Sequence, residues 1–129
     1  MSSKQDFTLR KRIKSFAFAW NGIKLVWLQE YNFRIHLFIT LAVIVLGFAL
    51  NFLFVEWMMI IFAISIVLIC EVINSAIERI CDFINPNIHP KIKIIKDISA
   101  GSVLLASVGA AIIGLLVFLP YAFKILGNL

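Results

Sequence analysis

The sequence predicts an all-α integral membrane protein in which an N-terminal amphipathic surface helix precedes three transmembrane helices. The first observation is composition, since 62% of the 129 residues are hydrophobic and the mean hydropathy is +1.01. Soluble domains are about half apolar, and so short a chain cannot bury this excess in its own core. The second observation is that three stretches reach membrane-spanning length. A single membrane domain, residues 1–129, accommodates all of them.

The three predicted spans cover about residues 35–55, 57–82 and 96–123. The first is uncharged and the third is uncharged from Ile98 onward, so each can cross a bilayer, which takes about 20 apolar residues. The second carries Glu71 in its interior. It can cross only if this carboxylate is accommodated inside the membrane.

A surface helix is predicted over about residues 8–30. Its apolar side chains recur at helical spacing beside basic residues, a pattern typical of helices that lie in the membrane interface. The apolar positions are Ile13, Phe16, Ala17, Trp20, Ile23 and Trp27. A basic tail with chance periodicity is the alternative interpretation.

Basic residues set the predicted orientation. Seven of the 12 Lys and Arg residues precede the first span, and the connection from Asn51 to Glu56 has none. Four more surround the connection after the second span, namely Arg79, Lys91, Lys93 and Lys96. The positive-inside rule therefore places the N-terminus and the second connection in the cytoplasm, with Lys124 as the one opposing residue. Nucleic-acid binding is not expected, because no groove-reading module accompanies these charges.

Two further features concern the last span. The segment from Asn85 to Pro90 contains two prolines and is predicted to be a turn. The span after it carries a small residue at every turn, which lets another helix approach closely. These residues are Ser102, Ala106, Ala110 and Gly114. Contact with another subunit and contact within the chain are both compatible with this pattern.

The second span presents a polar stripe. At 100° per residue its polar side chains fall within roughly 60° of one another, with Asn74 at the flank. The members of the stripe are Glu71, Ser75, Glu78 and Asp82. A carboxylate at the depth of Glu71 costs roughly 2.5–3.5 kcal/mol, so it needs a partner, a cavity or a function. A protonated helix–helix hydrogen bond is the structural alternative for Glu71, and plain solvation is preferred for Asp82.

Other charged residues lie at the same predicted depth. Glu30, considered without the other acids, is interpreted as an interfacial acid that pairs with Arg34. Asp97 is interpreted as a residue near the N-terminus of the last helix, where the helix dipole favours an acid. Lys96 is interpreted as a basic residue that fixes the orientation of this helix in the membrane. The carboxylates together suit Mg²⁺, which combines one or two protein carboxylates with nucleotide phosphates. Phosphoryl transfer needs these parts and a group that orients or deprotonates the acceptor.

No standard nucleotide-binding motif is present in the sequence. His36 and His89 have no second ligand at metal spacing, so a zinc site is not expected. An ion- or proton-coupled transporter is the main alternative, because intramembrane acids often mark relays. A transporter predicts acids across the whole bilayer, whereas the external half has only Glu56. A structural oligomer without activity is a second alternative, but it leaves Glu71 unexplained.

The segment Glu71-Val-Ile-Asn-Ser-Ala-Ile-Glu78, followed by Lys96-Asp97-Ile-Ser-Ala-Gly101, resembles the prokaryotic diacylglycerol kinase and undecaprenol kinase family. The resemblance runs from about Arg12 to Tyr121. It implies a lipid kinase of the bacterial inner membrane that uses ATP and Mg²⁺ on the cytoplasmic side. It also implies a homotrimer whose active sites are shared between subunits.

The resemblance implies roles for individual residues. Glu71 corresponds to the catalytic base, and Glu30 and Glu78 to the metal ligands. The implied nucleotide contacts are Lys11, Phe18, Glu30, Glu78, Asn87, His89, Lys96 and Asp97. The implied contacts with the lipid substrate are Arg34, Glu71, Asn74 and Ala100. The basic contact can also fall on Arg10 or Arg12, and Phe18 replaces a polar residue of some members.

The acceptor lipid is expected to be undecaprenol, with diacylglycerol as the alternative. Three segments resemble the undecaprenol kinase branch, namely 56–58, 87–90 and 114–120. Both acceptors are primary alcohols at a membrane surface, so the catalytic residues do not separate them.

Overall fold

A computed structural model of the chain describes residues 9–128. Lys4 and the predicted start of the surface helix at residue 8 lie outside this range. The described residues form four helices and no strand, namely α1 (Leu9–Gln29), α2 (Tyr31–Ala49), α3 (Phe54–Ile84) and α4 (Pro90–Leu126). The last three are long and apolar enough to span a membrane. The predicted all-α membrane fold is therefore confirmed.

The break between α1 and α2 is one residue long. Glu30 has an extended backbone (φ −101°, ψ 113°), while its amide still donates to the carbonyl of Val26 at 2.8 Å. The surface helix and the first span therefore join without the short linker implied by the predicted bounds. As a result the Glu30 side chain sits where the chain changes direction.

The connection between α2 and α3 comprises residues 50–53, so the first span ends before its predicted bound of 55 and the second begins before its predicted bound of 57. The α2 helix ends at Ala49, and Asn51 takes the left-handed conformation (φ 55°), which Asn tolerates better than most residues. The α3 helix begins at Phe54, after the Leu53 amide donates to Glu56 Oε2 at 2.7 Å. That bond satisfies one of the free amides at the helix start.

The predicted turn between α3 and α4 is present, but α4 starts earlier than expected. Asn87 N donates to Asn85 Oδ1 at 3.0 Å, and Lys91 N donates to His89 Nδ1 at 3.2 Å. Pro90 then opens α4, a position that suits its missing amide hydrogen. Because α4 starts at Pro90, its first turn holds no acid, and the interpretation of Asp97 as an N-terminal dipole residue is wrong.

A cluster of aromatic side chains packs at the end that holds the α2–α3 connection. Phe52 is 7% exposed, and its ring lies 5.1 Å from that of Phe118 and 5.5 Å from that of Tyr121. The Tyr121 hydroxyl donates to Glu56 Oε2 at 2.6 Å, which joins α3 to α4. This aromatic cluster closes one end of the bundle and leaves the polar site at the other.

The N-terminal part of the predicted apolar stripe of α1 is largely exposed within residues 9–128, whereas Trp27 at its other end packs against Phe38. Phe16 is 78% exposed and Trp20 is 67% exposed. Large apolar side chains on the outer faces of the spanning helices are exposed as well, among them Phe62 and Leu105. A bilayer and its interface are the environment in which such surfaces are stable.

The small-residue stripe of α4 does not make a close helix contact along its whole length within the chain. A Cβ atom added at Gly114 would meet nothing within 4 Å. Ala110 and Gly114 instead line a groove between the helices, and Ser102 is exposed.

The aromatic cluster leads to a prediction about stability. A Cβ atom at Gly47 would lie 2.7 Å from Trp57 Cη2 and 2.9 Å from Phe52 Cδ2, whereas one at Gly109 would lie in open space. Overpacking typically costs about 1–3 kcal/mol, so Gly47→Ala should lower the free energy of unfolding by that amount relative to Gly109→Ala. Both variants gain the same helix propensity, so their difference isolates the clash. Unfolding in mixed micelles measures it, and equal stabilities would contradict the packing at Gly47.

Candidate active site

Polar side chains from three elements converge where α2 begins, α3 ends and α4 begins. Glu71 lies deepest and is only 4% exposed. Ser75, one turn further along α3, is 2% exposed, and Glu78 is half-buried. The predicted stripe on α3 therefore faces the interior of the protein from Glu71 to Glu78, and its last member, Asp82, is exposed.

Glu71 has one polar partner within residues 9–128. His36 Nε2 on α2 lies 3.2 Å from Glu71 Oε1. His36 has no second ligand at metal spacing in the sequence, so metal-site reasoning assigns it no role. The signal that could have found it is its position, since it is a polar residue inside an otherwise apolar span and lies at the same depth as Glu71.

Glu30 joins the α1–α2 break to α3. Its Oε1 accepts hydrogen bonds from Ser75 Oγ at 2.9 Å and from Arg79 Nη2 at 3.2 Å. Arg79 Nη1 also donates to Gln29 Oε1 at 2.8 Å. Arg79, which in the sequence indicates only the orientation of the helices, is thus a residue of the site.

The predicted pairing of Glu30 with Arg34 is wrong. The guanidinium of Arg34 lies over the Tyr31 ring, 5.6 Å from its centroid. Arg34 Nε is buried and has no hydrogen-bond partner in the described part of the chain. Arg79 replaces Arg34 as the partner of Glu30 because α3, not the next turn of α2, faces the break.

Glu78 accepts a long hydrogen bond from Asn74 Nδ2, at 3.4 Å. The Oδ1 atom of the same Asn74 is buried and makes no hydrogen bond to any described residue. Glu71 lies within electrostatic range of both Glu30 and Glu78. The structure therefore gathers the three predicted carboxylates and Asn74 into one site.

Two ion pairs involve the predicted nucleotide contacts on α4. Lys96 Nζ pairs with Asp82 Oδ1 across α3 and α4, and Lys93 Nζ pairs with Asp97 Oδ2 along α4. The Asp82 side chain is 60% exposed, as plain solvation predicts, and it pairs with Lys96 as well. Lys96 also lies within electrostatic range of Glu78, which places it at the edge of the carboxylate site.

The remaining predicted contacts are not brought to the carboxylates within one chain. Lys11 is 18 helical residues from Gln29, or about 27 Å along α1, and Phe18 is 73% exposed. Asn87 and His89 are exposed at the α3–α4 connection. Ala100 is exposed on α4, beside Ser99, whose buried Oγ has no hydrogen-bond partner among the described residues.

The donors present fit a magnesium–nucleotide site. Glu30 and Glu78 supply hard carboxylate oxygens, and the unpartnered Asn74 Oδ1 is a further oxygen acceptor. No group of three or more His, Cys, Asp or Glu residues at metal-binding distance occurs within residues 9–128. Mg²⁺ commonly takes only one or two protein carboxylates and completes its shell with phosphates and water.

An apolar groove opens beside the buried pair. Its volume is about 540 Å³, and its walls come from all three spanning helices. His36, which contacts Glu71, also lines this groove. Other lining residues are Thr40 and Val43 on α2, Ala63 and Val67 on α3, and Ala110 and Gly114 on α4. The groove is therefore connected to the most buried carboxylate of the site through His36.

The chain belongs to the prokaryotic diacylglycerol kinase family, which it matches over residues 17–118. It is similar to an undecaprenol kinase of Bacillus subtilis, with 39% identity over 87% of this chain and 91% of the relative. A diacylglycerol kinase of Synechocystis is 36% identical over 82% of this chain and 61% of the relative. A diacylglycerol kinase of Escherichia coli is 30% identical over 78% and 82%. The predicted family is confirmed, and the transporter alternative gains no support.

The contacts of Arg79 lead to a prediction. Hydrogen bonds to charged groups contribute about 1.5–3 kcal/mol, so Arg79→Met should destabilise the protein by about that amount. The control is Lys93→Met, which breaks an exposed i,i+4 pair worth about 0.3–0.5 kcal/mol. Unfolding in mixed micelles compares the two variants. Equal losses would mean that Arg79 does not hold the α1–α2 break against α3.

Proposed function

We propose that this lipid kinase transfers the γ-phosphate of ATP to the hydroxyl of undecaprenol. Membership of the family makes the chain a lipid kinase. The observation that carries the site assignment is the buried Glu71, which lies near Glu30 and Glu78 and contacts His36, a residue of the groove wall. Diacylglycerol, the substrate named for several relatives, is the alternative acceptor.

Glu71 acts as the general base in this proposal. The lipid hydroxyl gives its proton to the Glu71 carboxylate, and its oxygen forms a bond to the γ-phosphorus. The bond from that phosphorus to the β–γ bridging oxygen breaks, and ADP leaves with the electron pair. The low exposure of Glu71 supports this assignment, because a base that is shielded from water accepts a proton from the bound acceptor and not from solvent.

Glu30 and Glu78 are proposed to hold Mg²⁺ with the nucleotide phosphates. The bound ion would neutralise charge that develops on the phosphates during transfer. Lys96, at the edge of the site, is proposed to contact a phosphate together with Asp97 and the 85–89 connection. Asn74 and Arg34 have buried polar atoms without partners, which supports their assignment as contacts with the lipid head.

The apolar groove is proposed to receive the first part of the lipid chain. It starts at His36, so a chain lying in it would bring its terminal hydroxyl to Glu71. Undecaprenol carries one long apolar chain on its primary alcohol, which suits a single groove. Similarity to the undecaprenol kinase over 91% of that protein supports the same choice.

A homotrimer with shared sites is proposed for the assembly, in the bacterial inner membrane with the site on the cytoplasmic side. The length of α1 supports sharing, because Lys11 can contact a nucleotide only at a site far from its own Glu30. The concentration of basic residues beside the site supports the orientation.

The acceptor is tested with purified protein in detergent, labelled ATP, Mg²⁺ and either undecaprenol or diacylglycerol. We expect phosphorylated undecaprenol to accumulate faster at equal mole fraction of the two lipids. Faster labelling of diacylglycerol would reverse the acceptor assignment. Labelling of neither lipid would contradict the proposed activity.

The roles of the carboxylates are tested by comparing Glu71→Gln with Glu78→Gln. Loss of a general base typically lowers the rate by about 10²–10⁴-fold, and Glu71→Gln should do so while ATP affinity stays near that of the wild type. Glu78→Gln should weaken ATP binding and raise the Mg²⁺ concentration required. Single-turnover rates and ATP affinity across a magnesium titration separate the two. The opposite pattern would exchange the two assignments.

A further inference from the structure

His36 is the strongest candidate for a role that the proposed mechanism does not yet use. His36 lies on α2 and Glu71 lies on α3, so their contact joins the two helices. The distance from His36 Nε2 to Glu71 Oε1 is 3.2 Å, which is within reach of an N–H···O hydrogen bond. The His36 side chain is 23% exposed and that of Glu71 only 6%.

The other charged groups around Glu71 are acids or are already paired. Glu30 and Glu78 lie within electrostatic range and repel a third carboxylate. Arg79 is bonded to Glu30, and Lys96 is paired with Asp82. Arg34, on α2, lies over the Tyr31 ring. Within residues 9–128, His36 is thus the basic group that lies within hydrogen-bonding distance of Glu71 and has no other acid paired with it.

A base must hold its proton-accepting oxygen in line with the substrate hydroxyl. Glutamate has three rotatable side-chain bonds, and burial alone does not select one orientation of its carboxylate. A donor on a neighbouring helix engages one oxygen and leaves the other for the acceptor. His36 also forms part of the groove wall, so the same ring sits where a lipid chain would meet the base.

We propose that His36 is a positioning residue for Glu71, which fixes the carboxylate at the end of the groove through its Nε2–H. The inference rests on the proposed function of Glu71 as base. It assigns to α2 a direct part in the geometry of the reaction.

The experiment compares His36→Leu, which removes the donor, with His36→Gln, which keeps an N–H donor of similar reach. Thr40→Leu changes the same groove wall one turn away, and it reports how an altered lining affects the KM for the lipid. A misplacement of about 1 Å can cost about 10²-fold, so His36→Leu should lower kcat by about 10- to 100-fold. ATP affinity should be unchanged, and His36→Gln should recover most of the rate.

A double-mutant cycle separates positioning from a structural role. If His36 acts through Glu71, adding His36→Leu to Glu71→Gln should lower the residual rate no further. A further drop in that background, or a change in lipid KM alone, would overturn the inference. Full activity of the His36→Leu variant, measured beside a wild-type protein that phosphorylates lipid, would also overturn the inference. Failure of the wild type to phosphorylate either lipid would contradict the proposed function instead.

If His36→Leu does not fold, the Gln variant decides the question. The His36→Gln variant keeps an N–H donor. If this variant folds but its kcat is as low as expected for loss of the donor, His36 does not position Glu71 through an N–H. Circular dichroism and ATP affinity establish the folded state of each variant before rates are compared.

Discussion

A carboxylate buried in an apolar helix bundle is the constraint around which this protein is arranged. Placing Glu71 at this depth costs roughly 2.5–3.5 kcal/mol, and two further acids stand nearby. Each acid has a partner on the protein. His36 faces Glu71 from α2, Arg79 holds Glu30, and Asn74 donates to Glu78. The His36 and Arg79 contacts also join different helices, so the same contacts compensate the buried charge and hold the bundle together.

The two ends of the bundle are held together by different forces. Aromatic rings pack around Phe52 at one end, where the Tyr121–Glu56 hydrogen bond ties α3 to α4. Hydrogen bonds and ion pairs hold the other end. Between the two ends the helices leave a groove of about 540 Å³. An aromatic cluster at one end of the bundle thus coexists with a polar site at the other.

This division separates two parts of the proposed reaction. The polar end can bind a soluble nucleotide, because it presents charged groups such as Lys96 and Glu78 near the interface. The groove can bind an apolar chain, because its walls carry few polar atoms. His36 belongs to both regions. In the proposed reaction the shape of the groove would discriminate between acceptors, since any primary alcohol offers the same hydroxyl to Glu71.

The sequence by itself determined the helices and the polar stripe, because both follow from local composition and from the 3.6-residue period. Glu71, Ser75 and Glu78 had to share a face wherever α3 was placed. The partners were decided only by the tertiary structure. Arg79 rather than Arg34 binds Glu30, and His36 meets Glu71, because pairing depends on the rotation and axial offset of neighbouring helices. Periodicity within one helix carries no information about either quantity.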